Sequence, residues 1–439
     1  MKKIQIVPST AEMDSSHVLE ILSNPKRMET VYDCNRHYYH WDEMRYRVDT
    51  DWLESTWIVM KRIRESFSSR LSVCCLDMIY NIQPDIQEYL HHIDRESAKM
   101  MGIDEYNENK LRFYSTSTFM EEAIASSQME GAVTTRKDAK KMLRTQRKPR
   151  DTSERMIFNN YVAMELIKET LDRKMDIETI LDMHATITKD TLSEGTQWEG
   201  RFREDDETVV GSTDIEDIVY HIPPGHERIP ELVQDICDFI NDDDVYIHPI
   251  VKGIIIHYLI GYVHPFVNGN GRLARSLFYW YVMKKGYWLM EYTSISRIIK
   301  DCQSRYGLAY QYTETDDNDL TYFIRFNLDC IEKGVDALRE YIERKTVKQE
   351  EMIDSIETHS ELNIHEIAIM NDYGRNRTLF SIGEISERYG ITYHTARNYI
   401  NHLCESGLIK KISKDGRTCL FIVSSSIPKK KGDDQDINR

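Results

Sequence analysis

Residues 264–275 read HPFVNGNGRLAR. Pro265 stops any helix that arrives at His264, because the ring disfavours helical backbone at the residue before it. Asn268, Gly269, Asn270 and Gly271 form a turn, and Leu273–Phe278 begins a new helix. Glycines there let backbone N–H groups point into one concavity at a helix N-terminus, where the dipole favours anions. Arg272 and Arg275 are three apart and face the same anion from one helical face. His264 stands at the lip, the natural place for a proton acceptor. Any one of these features alone reads as an ordinary helix–helix turn. Together they read as a phosphate-gripping loop with a base beside it.

Outward from the loop, the chain is mostly helical. Pro249–Val263 is apolar on nearly all faces, as expected of the buried central helix of a bundle. Pro230 suits the first position of a helix through Asn241. Thr208–Val210 and Ile218–Ile222 are β-prone runs around a polar turn with Gly211, which predicts a hairpin closed by Pro223 and Pro224. Residues 118–145 predict two helices. Thr118 with Glu121 forms a capping-box pattern before Phe119, Met120, Ala123 and Ile124, and Gly131 is a natural stop. Residues 155–173, 176–193 and 319–348 continue the helical pattern. Asp51–Phe67 and Leu71–His91 also predict helices, and the ring-rich stretch His37–Tyr46 predicts packing. Residues 1–110 show no chemistry.

The chain has 439 residues, 41% hydrophobic and 30% charged, with a net charge of −16. That balance excludes a protein built as a whole to coat nucleic acid. No apolar stretch reaches the ~18 residues of a spanning helix, and no secretory leader is visible, so a cytoplasmic location without a membrane partner is expected. Eight scattered cysteines lack C-x-x-C spacing, which argues against a disulfide framework or zinc site. Charge is uneven: residues 375–431 carry eleven Lys and Arg against four Asp and Glu, leaving a remainder near −23. A basic C-terminal module follows an acidic body.

HPFVNGNGRLAR resembles the signature of the Fic family, H-x-F-x-[D/E]-G-N-G-R-x-x-R, and residues 248–263 are similar to that family's central helix. The resemblance covers residues 115–340. It implies a helical bundle with a β-hairpin flap, and transfer of AMP from ATP to a Ser, Thr or Tyr hydroxyl of a protein bound at the flap, with release of pyrophosphate. His264 would be the general base and Phe266 the loop's anchor. Gly269, Asn270 and Gly271 would hold the α-phosphate region, Arg272 the β-phosphate and Arg275 the γ-phosphate. Asn268 departs from the pattern: it stands where the family has the carboxylate that binds Mg²⁺, and an amide oxygen brings no charge. Residues 126–131, SSQMEG, resemble the family's inhibitory pattern [S/T]-x-x-x-E-[G/N]. There Ser126, Glu130 and Gly131 would form a brake in which Glu130 occupies Arg275. Tyr306 and Tyr310 lie where relatives offer rings to adenine, with helix packing the leading alternative.

Residues 378–425 predict a winged helix-turn-helix, a small α+β domain. Ser381 and Glu384 form a capping box, Gly390 a stop and Thr392 the cap of a second helix, Tyr393–Ser406. Strands Leu408–Ser413 and Thr418–Val423 flank Asp415-Gly416. His394, Thr395, Arg397, Asn398 and Asn401 on the second helix, with Lys414 and Arg417 by the wing, are candidates for duplex DNA; a protein contact is the alternative. The expected organisation is a helical region over 1–114 and a core over 115–345, with inhibitory helix 118–131 and flap 205–224. A linker over 346–377, the winged module and a disordered tail over 426–439 follow. A homodimer is admitted. The expected function is an autoinhibited protein adenylyltransferase; the alternative is a DNA-binding transcriptional regulator with a nucleotide-sensing core.

Overall fold

The computed structural model describes residues 4–101, 108–211, 219–357, 362–376, 379–415 and 418–424. The chain divides into two units, Met1–Asp336 and Ala337–Arg439. The first begins with helices α1 (Val18–Ser23), α2 (Pro25–Arg36), α3 (Trp41–Met44) and α4 (Thr50–Phe67). Strands β1 (Ser69–Val73) and β2 (Leu76–Tyr80) follow, then α5 (Pro84–Met101), α6 (Glu108–Met129), α7 (Arg136–Arg144), α8 (Thr152–Thr170) and α9 (Ile177–Thr188). After β3 (Val210–Gly211) and β4 (Val219–His221) come α10 (Ile229–Asn241), α11 (Pro249–Val263), α12 (Asn270–Lys284), α13 (Ile295–Asp301), α14 (Gln303–Thr315) and α15 (Thr321–Glu357). No helix among the described residues is long and apolar enough to cross a membrane.

Helix α11 is buried around its whole circumference, from Ile250 through Ile260, so burial of its isoleucines anchors the core at ~1.5–3 kcal/mol per side chain. It packs against α12, and His264–Gly269 connects them. The β3–β4 pairing is antiparallel, Val210 opposite His221; the tip of the expected flap, 212–218, lies outside the described residues. The N-terminal helices have their own core, with Trp41, Met44, Trp57 and Met60 buried, as the ring-rich stretch predicted. Buried polar contacts tie them to α14–α15: Lys61 Nζ donates to Asp316 at 2.7 Å, Arg64 Nη1 to the Tyr322 hydroxyl at 2.8 Å, and Tyr38 to Asp319 at 2.6 Å.

Three expectations change. Leu71–His91 is not one helix: its first part is the β1–β2 hairpin, turned by Cys74 and Cys75 at φ 57° and 58°. Two left-handed residues between paired strands suit the strand twist, but without Gly or Asn the turn has no sequence signal. Thr118 caps nothing, because α6 starts at Glu108. Glu121 instead receives Arg136 Nε at 2.7 Å and pairs with Lys140. The stretch expected as a linker is helical over 346–357, within α15, and again over α16 (Ile364–Asn376).

In the second unit α16 is followed by β5 (Phe380–Ser381), α17 (Ile382–Tyr389), α18 (Tyr393–Glu405), β6 (Ile409–Asp415) and β7 (Thr418–Val423), the sheet order being β5-β7-β6. The Ser381–Glu384 capping box forms, Gly390 ends α17 in a left-handed conformation, and Thr392 caps α18. Ile369, Met370, Phe380, Ile385, Ile400 and Leu403 meet in one core. The expected disordered tail lies outside the described residues.

Candidate active site

The 264–275 loop is closed by its own side chains. Asn270 Oδ1 accepts from the Phe266 N–H at 3.0 Å and its Nδ2 donates to the Phe266 carbonyl at 2.7 Å. Both ends of the buried amide are therefore engaged, and the side chain expected at the α-phosphate serves as the loop's internal clamp. Phe266 is fully buried and stacks on His184 at 3.6 Å between ring centroids. His184 accepts from the Gly200 N–H at Nδ1 (3.0 Å), so Nε2 carries the proton and donates to the Asn268 carbonyl at 2.9 Å. Burial lowers its pKa to about 4, which keeps it neutral. Gly269 opens α12 at φ 85°, the left-handed region that favours glycine.

His264 caps α11 with φ 47° and ψ 57°. It is half-buried rather than solvent-facing. Its Nδ1 lies 3.2 Å from the Gly261 carbonyl; donation there leaves Nε2 with a free lone pair. Burial lowers its pKa to about 4, so the ring is an unprotonated acceptor near neutrality. Arg203, 2% exposed, braces the loop: its backbone N–H donates to Pro265 at 3.0 Å and its Nε to the His264 carbonyl at 3.0 Å. The same guanidinium donates to Asp205 O at 2.7 Å and to Pro224 O, at the two roots of the β3–β4 segment. His221 on β4 adds a second tether, to the Tyr262 carbonyl at 2.7 Å and Glu314 at 2.9 Å.

Arg272 and Arg275 lie at the start of α12, both nearly inaccessible. Arg272 Nη1 donates to Ile187 O at 3.1 Å, but its buried Nε has no hydrogen-bond partner. Desolvation lowers its pKa to about 10. An under-bonded buried guanidinium fits a phosphate oxygen. Arg275 is filled: Nε donates to Ser126 Oγ at 2.9 Å, and Nη2 to Ser126 O at 3.1 Å and Glu130 Oε1 at 2.8 Å. Glu130 sits just past the end of α6, where Gly131 turns the chain at φ 94°. A methyl group on Gly271 would lie 2.2 Å from Glu130 Oε1, so the missing side chain admits the carboxylate to the first turn of α12. Burial opposes the charge, yet Arg275, Arg272 and His264 hold the carboxyl below its usual range.

Asn268 is exposed, and its Oδ1 accepts from the Gly269 N–H at 2.7 Å. The position offers no carboxylate and its amide oxygen is turned into the loop, so it does not fit the Mg²⁺ ligand expected there. Tyr306 and Tyr310 pack among aromatic rings: Tyr310 lies 4.4 Å from Phe323, and the Tyr306 hydroxyl meets His257 Nε2 at 2.8 Å. Sequence reasoning missed His184, Arg203, His221 and His257. The 264–275 loop partners of His184 and Arg203 are 84 and 61 residues away, and no local pattern marks them.

On α18, Ala396, Ile400 and Leu403 face the core, whereas His394, Arg397, Asn398 and Asn401 are exposed. Thr395 Oγ1 is taken up by Thr392 Oγ1 at 2.8 Å. Arg417 lies outside the described residues.

Fold and loop together define a class: helical proteins whose central helix pair is joined by an H-P-F-x-x-G-N-G-R-x-x-R connection. Residues 174–282 match the model of the Fic/DOC family. Protein adenylyltransferase Fic of Drosophila willistoni is 28% identical over 255 residues, which cover 56% of this chain and 47% of that protein. The Drosophila erecta protein of the same name is 26% identical over 268 residues, covering 59% and 49%. The chain thus matches about half the length of these curated relatives. A Fic family protein from Desulfovibrio desulfuricans shares the fold at a TM-score of 0.52 and 19% identity, over 80% of this chain and 99% of that one. Fic-1 from C. elegans does so at 0.53 and 16%, over 76% and 91%. Over residues 174–282 the chain thus matches the Fic/DOC family, and it is similar to proteins of that family.

Proposed function

We propose that the chain is an autoinhibited protein adenylyltransferase. The observation that carries this reading is a carboxylate seated in an anion cradle: Glu130 bonded to Arg275 at 2.8 Å, against Gly271 in the first turn of α12. A helix N-terminus with two buried arginines is suited to the phosphates of ATP. With Glu130 displaced, Arg275 is available to the γ-phosphate, and Arg272, with its unpartnered Nε, to the β-phosphate. The relatives named protein adenylyltransferase support ATP as the substrate and a protein as the acceptor.

In the proposed reaction a Ser, Thr or Tyr hydroxyl attacks the α-phosphorus. Its proton passes to Nε2 of His264, the bond to the β-phosphate oxygen breaks, and pyrophosphate leaves with that electron pair. The α12 amides and the arginines neutralise the phosphates, so positioning and charge compensation carry most of the acceleration. His184, Asn270 and Phe266 keep the loop in shape, and β3–β4 offers an edge to which a target segment adds.

A second reading is favoured by the exposed face of α18. With α17, the turn and the β6–β7 hairpin, it forms a winged helix-turn-helix suited to duplex DNA, with Arg397, Asn398 and Asn401 presented. Lys410 and Lys411, both exposed, lie on β6. On this reading the core senses nucleotide and the chain is a transcriptional regulator. Incubation of the full chain with α-labelled ATP and lysate separates the two. Labelled protein that disappears in His264→Ala, with nucleotide binding retained, supports transfer. Equal labelling by His264→Ala removes that residue as the base, and no labelling of any protein leaves the second reading.

A further inference from the structure

Away from the α11–α12 loop, four ionisable side chains from two helices converge. His92 and Glu96 lie one turn apart on α5; Glu332 and Asp336 lie one turn apart on α15. One ligand atom each of His92, Glu332 and Asp336 falls within 4.8 Å of the others. The side chains are mostly withdrawn from water: His92 is 14% exposed, Glu332 20% and Glu96 12%. We propose that His92, Glu332 and Asp336 bind one divalent transition-metal ion of the zinc class, pinning α5 to α15.

Three observations carry this. First, Nδ1 of His92 is buried and faces Glu332 Oε1 at 2.5 Å without a hydrogen bond between them. The pair is closer than the ~3.3 Å between two tetrahedral ligands of one zinc ion, so it opens by under ~1 Å when the ion enters. Second, the opposite nitrogen, Nε2, faces Glu96 Oε1 at 3.6 Å. At that distance the carboxylate makes no hydrogen bond, but its charge behind the imidazole favours the proton on Nε2 and so leaves Nδ1 for the metal, toward the usual outer arrangement of a ligating histidine. Third, the donor set has a preference. One imidazole with two carboxylates suits zinc and its neighbours, whereas magnesium and calcium favour oxygen alone. Three protein ligands leave a further position for water. Lys99 and Arg95 sit on Glu96, at 2.6 and 3.3 Å, so the outer carboxylate stays ionised without competing for the ion.

The competing arrangement is a protonated His92 held between Glu96 and Glu332 with no metal. The full chain, stripped by chelator and dialysed, is titrated with Co²⁺ as a spectroscopic stand-in for zinc, then with Zn²⁺. The expected result is one tightly bound ion per chain, with a visible band for imidazole and carboxylate ligands that Zn²⁺ bleaches and Mg²⁺ does not. Zn²⁺ should also raise the melting temperature. His92→Ala should abolish the band; His91→Ala, at the exposed neighbour, should keep it. Glu96→Gln should weaken binding ~10–100-fold, the scale of an outer partner. If His92→Ala does not fold, Glu332→Gln replaces it, with the same loss expected. Absence of a stoichiometric band in the wild type, or an undiminished band in the folded His92 or Glu332 variant, overturns the site.

Discussion

Replacing Glu130 by glycine isolates the proposed brake. In the wild type the carboxylate holds Arg275 Nη2 at 2.8 Å, with the arginine 4% and the glutamate 26% exposed. A charge-assisted bond of this kind is worth ~1–3 kcal/mol. If all of it stands between ATP and its productive pose, removal accelerates transfer ~5- to 150-fold, at ~1.4 kcal/mol per decade. Arg275 keeps its bonds to Ser126 at 2.9 and 3.1 Å, so it stays aimed at the cradle. It does lose its counter-charge, and the ATP-free variant should melt lower than the wild type and gain more from ATP. The assay is incorporation of α-labelled AMP into the chain itself and into lysate proteins, with the ATP dependence of the rate. Glu130→Gln, which keeps the shape and removes the charge, should fall between wild type and glycine. Adding Arg275→Ala to Glu130→Gly should cancel the gain. Background labelling by Glu130→Gly across ATP concentrations and metals refutes the brake. A double variant as active as the single one shows that Glu130 acts through something other than Arg275.

Asn268→Asp should tighten Mg²⁺ in the nucleotide complex, measured by calorimetric titration; an unchanged affinity removes residue 268 from any metal position. Stability should fall with acid. Burial lowers the pKa of His40 to about 3, His184 to about 4, His257 to about 3 and His264 to about 4, from an ordinary 6.5. The unfolded chain takes up protons below 6.5 that the folded chain refuses, so each histidine costs ~1.4 kcal/mol per pH unit from there down to its folded value. Urea melts at pH 7.0 and 5.5 should differ by ~5 kcal/mol for the four together; coincident curves would contradict their burial as neutral rings. Arg397→Ala in the full chain should weaken duplex DNA binding and flatten its salt dependence by about one unit of slope, and a mobility-shift series in salt checks it.

What the sequence made legible was local. Pro249 and Pro265 bracket the central helix; Gly269 and Gly271 mark the turn. Glu130 and Arg275 were paired through family resemblance, and the bond is present. What stayed hidden was contact at a distance. Nothing within ten residues of His184 says that it holds the Asn268 carbonyl, and Arg203 looks like one more surface arginine beside Glu204 and Asp205. Asn270 has a role the sequence did not show: an Asn in a glycine turn reads as a ligand donor, and both its amide atoms also close the loop on Phe266. The β1–β2 hairpin failed for a different reason: its turn uses left-handed cysteines, which local propensity disfavours and tertiary packing overrides.

The bracing by Arg203 has an evolutionary corollary. One guanidinium holds the carbonyls of Asp205 and Pro224 and that of His264. The span between Asp205 and Pro224 is thereby set by a side chain that lies outside the segment between them. The sequence between those two residues can change in length or chemistry while His264 keeps its place. A lineage retaining Arg203 can exchange the face it shows to other proteins much as a tool changes its bit, and need not reinvent the chuck.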